Sequence, residues 1–458
     1  MFIIRNRLLI KKVHAYGPKD MGIVDIAIDG EKITNIQREI PTDGDLVIDG
    51  TDKIIIPGVI ETHAHMLLPF GGTQTMNDFY DGTLSGAYGG VTTLIDFADQ
   101  KKGFSIYDAL SNRIRQAENK CIVDYGFHLT LTDINKETLS AIPDLVNKGF
   151  TSFKFYTTYS NEGLYVSDRD LKKAFKVIAR CNALATVHAE TETMIMESTN
   201  RLLREGHTDI SFFSKSNPNE SEAAAIYRMV QIAKETGVRL LIRHISSKSG
   251  AEIVEQAQKE EFPVYGETCP HYLYFTREVY SGDKGSEYIV YPPIRGAKDK
   301  EYLWKLLQGN AELTIGTDDC AFYLEQKHIS DKFYEIPGGM PGIETRLAVM
   351  YELGVMQRQI DIQRLACLIS EIPAKLYGIY PQKGCIRVGS DADLVVINPR
   401  SEHVITANKL HEKSDYTPFE GLQVHMNIDE VISRGRRIFV DEKCTVEAGS
   451  GRLIHRTC

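Results

Sequence analysis

From residue 58 to residue 316 the chain repeats one grammar: a short apolar run, a polar loop, then a stretch of helical periodicity. The apolar runs are 58–62, 91–95, 123–127, 150–153, 184–187, 239–243, 262–266 and 312–316, eight in all. Short apolar runs between polar loops read as buried strands, and patterns such as 168–181 and 221–236 read as the intervening helices. Eight βα units over this length predict an α/β fold, the (β/α)8 TIM barrel. Such a barrel carries its catalytic groups at the C-terminal ends of the strands, so the residues that close each run are the informative ones.

After the first run comes His63-Ala64-His65, and side chains two apart on a strand face the same way, so both imidazoles can clip one metal. The fourth run leads to Lys154, the fifth to His188, the sixth to His244 and the eighth to Asp318. Each except the lysine is an ordinary ligand for a divalent cation. An ammonium cannot ligate, but burial near cations favours the neutral amine. Carbon dioxide adds to that amine to give a carbamate whose two oxygens can bridge two metals. The alternative for Lys154 is a salt-bridging lysine at a strand end. For His14, His207, His328, His411, His425 and His455 the expectation is a satisfied polar residue, and His271 is left outside the site.

The ends have a different texture. Runs at 23–28 and 32–36, and again at 392–397, 430–433 and 437–440, alternate like strands between polar turns, and the two ends are expected to share one sheet module. A length of 458 residues suits one large catalytic domain plus such a module. The formal charge of −9 argues against a nucleic-acid partner. No run approaches membrane-spanning length, and residues 1–13 lack a signal-peptide core, so no membrane partner is expected. The eight cysteines show no CxxC pair, which points to a reducing, cytoplasmic location.

The order HxH, lysine, histidine, histidine, aspartate resembles the amidohydrolase superfamily with a binuclear metal centre. Closer motifs look like those of dihydropyrimidinases and hydantoinases: Pro57-Gly-Val-Ile-Glu-Thr-His-Ala-His65, Pro69-Phe-Gly-Gly-Thr73, Gly89-Gly-Val-Thr-Thr93, Ser152-Phe-Lys-Phe-Tyr156, Glu267-Thr-Cys-Pro270, Pro292-Pro-Ile-Arg295 and Pro341-Gly-Ile-Glu-Thr-Arg346. The segment Ser414-Asp-Tyr-Thr-Pro-Phe-Glu-Gly421 extends the resemblance almost end to end. It implies a TIM barrel over 57–384 and a composite β-sandwich built from 1–56 and 385–458, commonly in a homotetramer or homodimer. It also implies a hydrolase that opens a cyclic imide or ureide ring, a dihydropyrimidine or 5-substituted hydantoin.

By that resemblance His63, His65 and Asp318 hold one metal, His188 and His244 the other, and carboxylated Lys154 (N6-carboxylysine) bridges them. A hydroxide held between the two cations is the nucleophile. Tyr159 occupies the position of the family tyrosine whose hydroxyl stabilises the oxyanion, and Asp318 carries a proton to the leaving nitrogen. Zinc is the expected metal, and the nitrogen and oxygen donors also accept manganese, iron or cobalt. Glu190 is expected behind the ligands rather than among them, and the 71–72 and 157–165 loops at the barrel mouth.

Three positions depart from the family pattern and are expected to cluster at the substrate site. Tyr291 stands where serine is usual, Gly338 replaces an asparagine, and Asp319 replaces a histidine after the catalytic aspartate. The family grips the ring mainly through main-chain groups at the first two, so binding can survive the change. A large Tyr291 beside a small Gly338 hints at a planar or bicyclic ring, an aryl-hydantoin or an oxopurine such as xanthine; drift at backbone-contact positions is the other reading. Allantoin or dihydroorotate as substrate is an alternative of the same class. A non-catalytic scaffold is one of another class, and the intact ligand set speaks against it.

Overall fold

The computed structural model describes residues 7–17, 19–357 and 360–458. The part of the N-terminal reading that falls on residues 1–6 lies outside the described residues.

All eight inner strands are present: Val59–Glu61, Val91–Asp99, Asp124–Thr130, Ser152–Tyr156, Leu184–His188, Arg239–Ile242, Val264–Thr268 and Leu313–Ile315. They pair in parallel, each with the next in sequence. The eighth and first meet just past their ends, where His65 N donates to Asp319 O at 2.9 Å and Asp319 N donates to His63 O at 3.2 Å. The barrel is therefore closed by the two segments that carry the HxH pair and Asp318.

The helices outside the barrel form for local reasons. In Asp168–Arg180 the Ser167 hydroxyl accepts from Asp170 N, and Leu171, Ala174, Phe175 and Ile178 recur on one buried face. Burying each of the larger of these side chains contributes about 1.5–3 kcal/mol.

The chain ends do share one sheet. Its nine strands draw on Leu8–Tyr16, Asp20–Asp29, Lys32–Gln37, Leu46–Asp49 and Ile54–Pro57 from the N-terminal end. Leu394–Asn398, Asn427–Ser433, Arg436–Val440 and Lys443–Cys444 come from the C-terminal end. Leu394–Asn398 pairs antiparallel with Ile54–Pro57, which joins the two sets, and Ile10, Ile26, Ile55, Val396 and Ile432 share a core separate from that of the barrel. Residues 451–457 then run back beneath the barrel, with Ile454 N donating to Tyr125 O at 2.7 Å and Arg456 N to Gly149 O at 3.2 Å. Among the described residues no helix is long and apolar enough to cross a membrane, and all eight cysteines are unpaired.

Candidate metal centre and substrate pocket

The strand ends bring the six candidate ligands to one place. A cavity of about 440 Å3 at the C-terminal mouth of the barrel is lined by His63, His65, Lys154, His188, His244 and Asp318, and also by Tyr159, Tyr291 and Gly338. Two of the six sit in unusual backbone conformations: His244 has φ 37° and Asp318 φ 53°. Positive φ at residues with a Cβ is costly and persists where the surroundings over-determine it.

Donor atoms converge without satisfying one another. Facing atoms of His63, His244 and Asp318 lie within 4.8 Å of each other, as do those of His65, Asp318 and Cys320. His63 Nε2 lies 2.9 Å from Asp318 Oδ1 yet makes no hydrogen bond, and His65 Nδ1, His244 Nδ1 and Lys154 Nζ are buried without a hydrogen-bond partner. A buried polar atom left unpaired costs about 1–3 kcal/mol, so several of them on residues that line one cavity fit a site built for cations. Burial raises the pKa of Asp318, but His63 and His65 outweigh it and hold the group well below the ordinary carboxylate range. Burial lowers the pKa of His65, His188 and His244, leaving neutral imidazoles, the ligating form. Burial, reinforced by the Arg243 charge, brings Lys154 down to about 7, where the carbamate-forming amine is accessible.

Partners behind the candidate ligands fix their orientation. His188 Nε2 meets Glu190 Oε2 at 2.9 Å, which leaves Nδ1 for the cavity, and Glu190 accepts from Asn217 Nδ2 at 3.1 Å. Glu190 therefore stands behind His188 and outside the cavity lining. Glu267, unassigned in the sequence, does the same for His63: Oε1 meets Nδ1 at 2.5 Å, and Oε2 accepts from Arg243 Nη1 at 2.8 Å. A Cβ at Gly316 would lie 2.9 Å from the Glu267 carboxyl and 3.1 Å from His63 Cβ, so a glycine there makes room for this pair. Glu267 lies near the end of the seventh strand, next to an otherwise apolar run, and that is its signal in the sequence. Asp99, at the end of the second strand, also lines the cavity and escapes the sequence reading, as do Lys101 and Lys102 beside it.

Tyr159, at φ 67°, is half-buried with its ring centroid 4.9 Å from that of His188. Burial raises its pKa well above the usual phenol value, so at neutral pH the hydroxyl remains a donor. Tyr291 and Gly338 touch: a Cβ on Gly338 would fall 2.2 Å from Tyr291 Cδ2. The two departures are thus one coupled change, and the Tyr291 ring, edge-on to Phe213 at 5.3 Å and Tyr159 at 6.0 Å, forms an aromatic wall. The third departure does not belong with them. Asp319 is absent from the cavity lining, and its carboxyl turns away to accept from Gly342 N at 2.8 Å and Ile343 N at 3.2 Å. Backbone amides of the later loop capture it, which the spacing in sequence could not reveal.

Of the loops expected at the mouth, Leu68, Pro69 and Phe70 line the cavity rather than Gly71 and Gly72, and Tyr159, Glu162, Gly163 and Leu164 line it from the second loop. Four of the six histidines expected to be satisfied have a hydrogen-bonding partner: His14 meets Asp20 at 2.7 Å, His411 meets Glu344 at 2.8 Å, His425 meets Glu352 at 2.9 Å and His455 meets a backbone carbonyl at 3.2 Å. His328, exposed, and His207, half-buried, lie 3.6 and 3.9 Å from Glu287 and Glu205, too far for a hydrogen bond. His271 is buried outside the cavity lining.

The chain is similar to known proteins over nearly its whole length. Residues 54–438 match the amidohydrolase family. A D-hydantoinase of Geobacillus stearothermophilus is 34% identical over 453 residues, covering 98% of this chain and 96% of that one. A D-phenylhydantoinase of Escherichia coli is 34% identical over 458 residues, covering 98% of each. The crystal structure of a dihydropyrimidinase from Brevibacillus agri superposes with a TM-score of 0.96 at 34% identity, covering 98% of this chain and 99% of that one. With a match over nearly the whole length, the chain belongs to the amidohydrolase family, among its hydantoinases and dihydropyrimidinases.

Proposed function

We propose that this protein is a binuclear-metal hydrolase that opens a cyclic imide or ureide ring at its amide bond, a dihydropyrimidine or a 5-substituted hydantoin. The observation that carries the reading is the convergence of four histidines, Asp318 and an unpartnered Lys154 on one cavity at the barrel mouth. His63, His65 and Asp318 would hold one cation and His188 and His244 the other, with Lys154 as the bridging carbamate. Zinc is the metal we favour. When bound, such a pair supplies an activated water at neutral pH and polarises the ring carbonyl.

The chain's own groups do the rest. The Tyr159 hydroxyl donates to the carbonyl oxygen as charge develops there. Asp318, ionised in the free site, takes the proton of the attacking water and returns it to the departing ring nitrogen. Leu68, Phe70 and Leu164 exclude water around the ring substituent. Main-chain groups at Tyr291 and Gly338 meet the ring's amide edge. The Tyr291 wall supports an aryl-substituted hydantoin, or a planar oxopurine such as xanthine, over plain dihydrouracil. We read the chain as a barrel at 57–384 with a module from 1–56 and 385–458, working in the cytoplasm as a homotetramer.

The test is ring opening by the metal-replete protein on dihydrouracil, hydantoin, phenylhydantoin, allantoin, dihydroorotate and xanthine, each with a chelator control. Chelator-sensitive opening, with phenylhydantoin or xanthine ahead of dihydrouracil, is the expected outcome. Preference for dihydrouracil removes the aromatic-wall argument, and no turnover of any ring removes the function.

A further inference from the structure

One buried cation near the pocket plays no part in the chemistry above. Lys327 closes the short helix Leu324–Lys327 and is fully buried. Its Nζ donates to three carbonyls: Ile289 at 3.0 Å, Pro337 at 2.7 Å and Gly339 at 3.0 Å. These acceptors bracket the two wall residues, Ile289 lying two residues before Tyr291, and Pro337 and Gly339 flanking Gly338 on either side. The same two segments are joined directly by Gly339 N, which donates to Ile289 O at 2.9 Å. Below, Asp415 Oδ1 accepts from Leu324 N at 2.7 Å and holds the helix that delivers the lysine.

A buried ammonium without a paired carboxylate is an expensive group, and an apolar residue of similar volume would normally be the more stable choice. Among the described residues Lys327 has no carboxylate within ion-pair distance: Glu287 acts on it only from farther away and faces His328 at 3.6 Å. What the ammonium offers that an apolar side chain cannot is three N–H bonds diverging from one point. They lock two segments, far apart in sequence, in a single relative placement. Burial pushes the Lys327 pKa down to about 7, and a neutral amine would have only two N–H bonds for the three carbonyls.

We infer that Lys327 is a positioning residue for the substrate ring: its three-carbonyl tie sets the main chain at Tyr291 relative to that at Gly338, and so the width of the slot that receives the ring's amide edge. This rests on the functional reading above, in which those two stretches of main chain grip the ring.

The experiment compares metal-replete wild type with Lys327→Met and Lys327→Ala. It uses the ring that wild type opens best, and hydrogen exchange at the Gly339 amide as a readout independent of turnover. Expected are a KM raised tenfold or more, a kcat lowered less than threefold, unchanged metal content and faster exchange at Gly339. For Lys327→Ala, added ethylammonium should lower KM towards the wild-type value. An unchanged KM with a lower melting temperature, whatever the exchange rate, would make Lys327 a merely structural lysine and overturn the proposal. A fall in kcat alone, or loss of metal, overturns it as well. A wild type that opens no ring defeats the functional reading, and this proposal with it, before any variant is made.

Discussion

At the scale of single residues, the pocket turns on two groups whose chemistry depends on their surroundings. Lys154 is fully buried, unpartnered and poised near neutrality, with its Nζ 4.7 Å from the Tyr156 ring centre. If its carbamate bridges the cations, Lys154→Ala loses most of the bound metal and lowers kcat/KM by about a hundredfold or more. Short carboxylic acids should restore part of both. Metal analysis and turnover of the same preparation check this, and unchanged metal content and rate would contradict the bridge. Tyr291 and Gly338 form the second case. Gly338→Asn alone drives the new side chain into the Tyr291 ring, and overpacking of that kind costs about 1–3 kcal/mol. Tyr291→Ser with Gly338→Asn should relieve it and move preference from phenylhydantoin towards dihydrouracil. A double-mutant cycle on stability and on kcat/KM reads the coupling, and additive effects would mean that the two positions are independent.

At the scale of elements, the candidate ligands sit at the C-terminal ends of strands whose opposite ends are tied by a strap. Residues 451–457 cross the N-terminal face of the barrel and insert Arg456, which is buried. Its guanidinium donates to the Ser152 hydroxyl at 2.7 Å and to the Phe127 carbonyl. Ser152 opens the strand that carries Lys154, and its hydroxyl also meets His128 Nδ1 at 2.6 Å. Arg456→Ala removes both bonds from the interior and should cost about 1–3 kcal/mol. A lower urea midpoint checks it, and an unshifted midpoint would show that water replaces the guanidinium. The tail motif at 414–421 works in the same way on the other face: Ser414 Oγ donates to Phe322 O at 2.8 Å, beneath the loop that leads to the pocket wall.

At the scale of the whole molecule, barrel and terminal sheet are joined through buried charge. Lys383 Nζ lies 2.8 Å from Asp124 of the third barrel strand, and 2.6 and 3.2 Å from Asp393 and Asp391 at the approach to the sheet strand Leu394–Asn398. Arg434 Nε adds a second link to Asp124 at 3.0 Å. Removing one partner of a buried pair leaves charge uncompensated, so Lys383→Met should destabilise the protein by about 3–5 kcal/mol. Equilibrium unfolding measures this, and a loss under ~1 kcal/mol would mean that the carboxylates take up protons or water instead.

Much of the barrel and the gathering of the six candidate ligands at its mouth was legible because both are written locally. An apolar run ending in His188 or Asp318 needs only its neighbours to declare a strand and the group at its tip, and the spacing of His63 and His65 is the strand period itself. Local pattern also marked the six histidines outside the site and the strands at the two ends of the chain. What it could not supply were contacts between residues remote in sequence. Glu267 orients His63 from 204 positions away, Tyr291 lies against Gly338, Lys327 ties both walls, and Arg456 reaches up from the last turn of the chain. Asp319 shows the converse: adjacent to Asp318 in sequence, it faces the opposite way because loop amides of Gly342 and Ile343 capture it. Periodicity fixes which face of its own element a side chain takes, and only the closing of the barrel decides what that face meets.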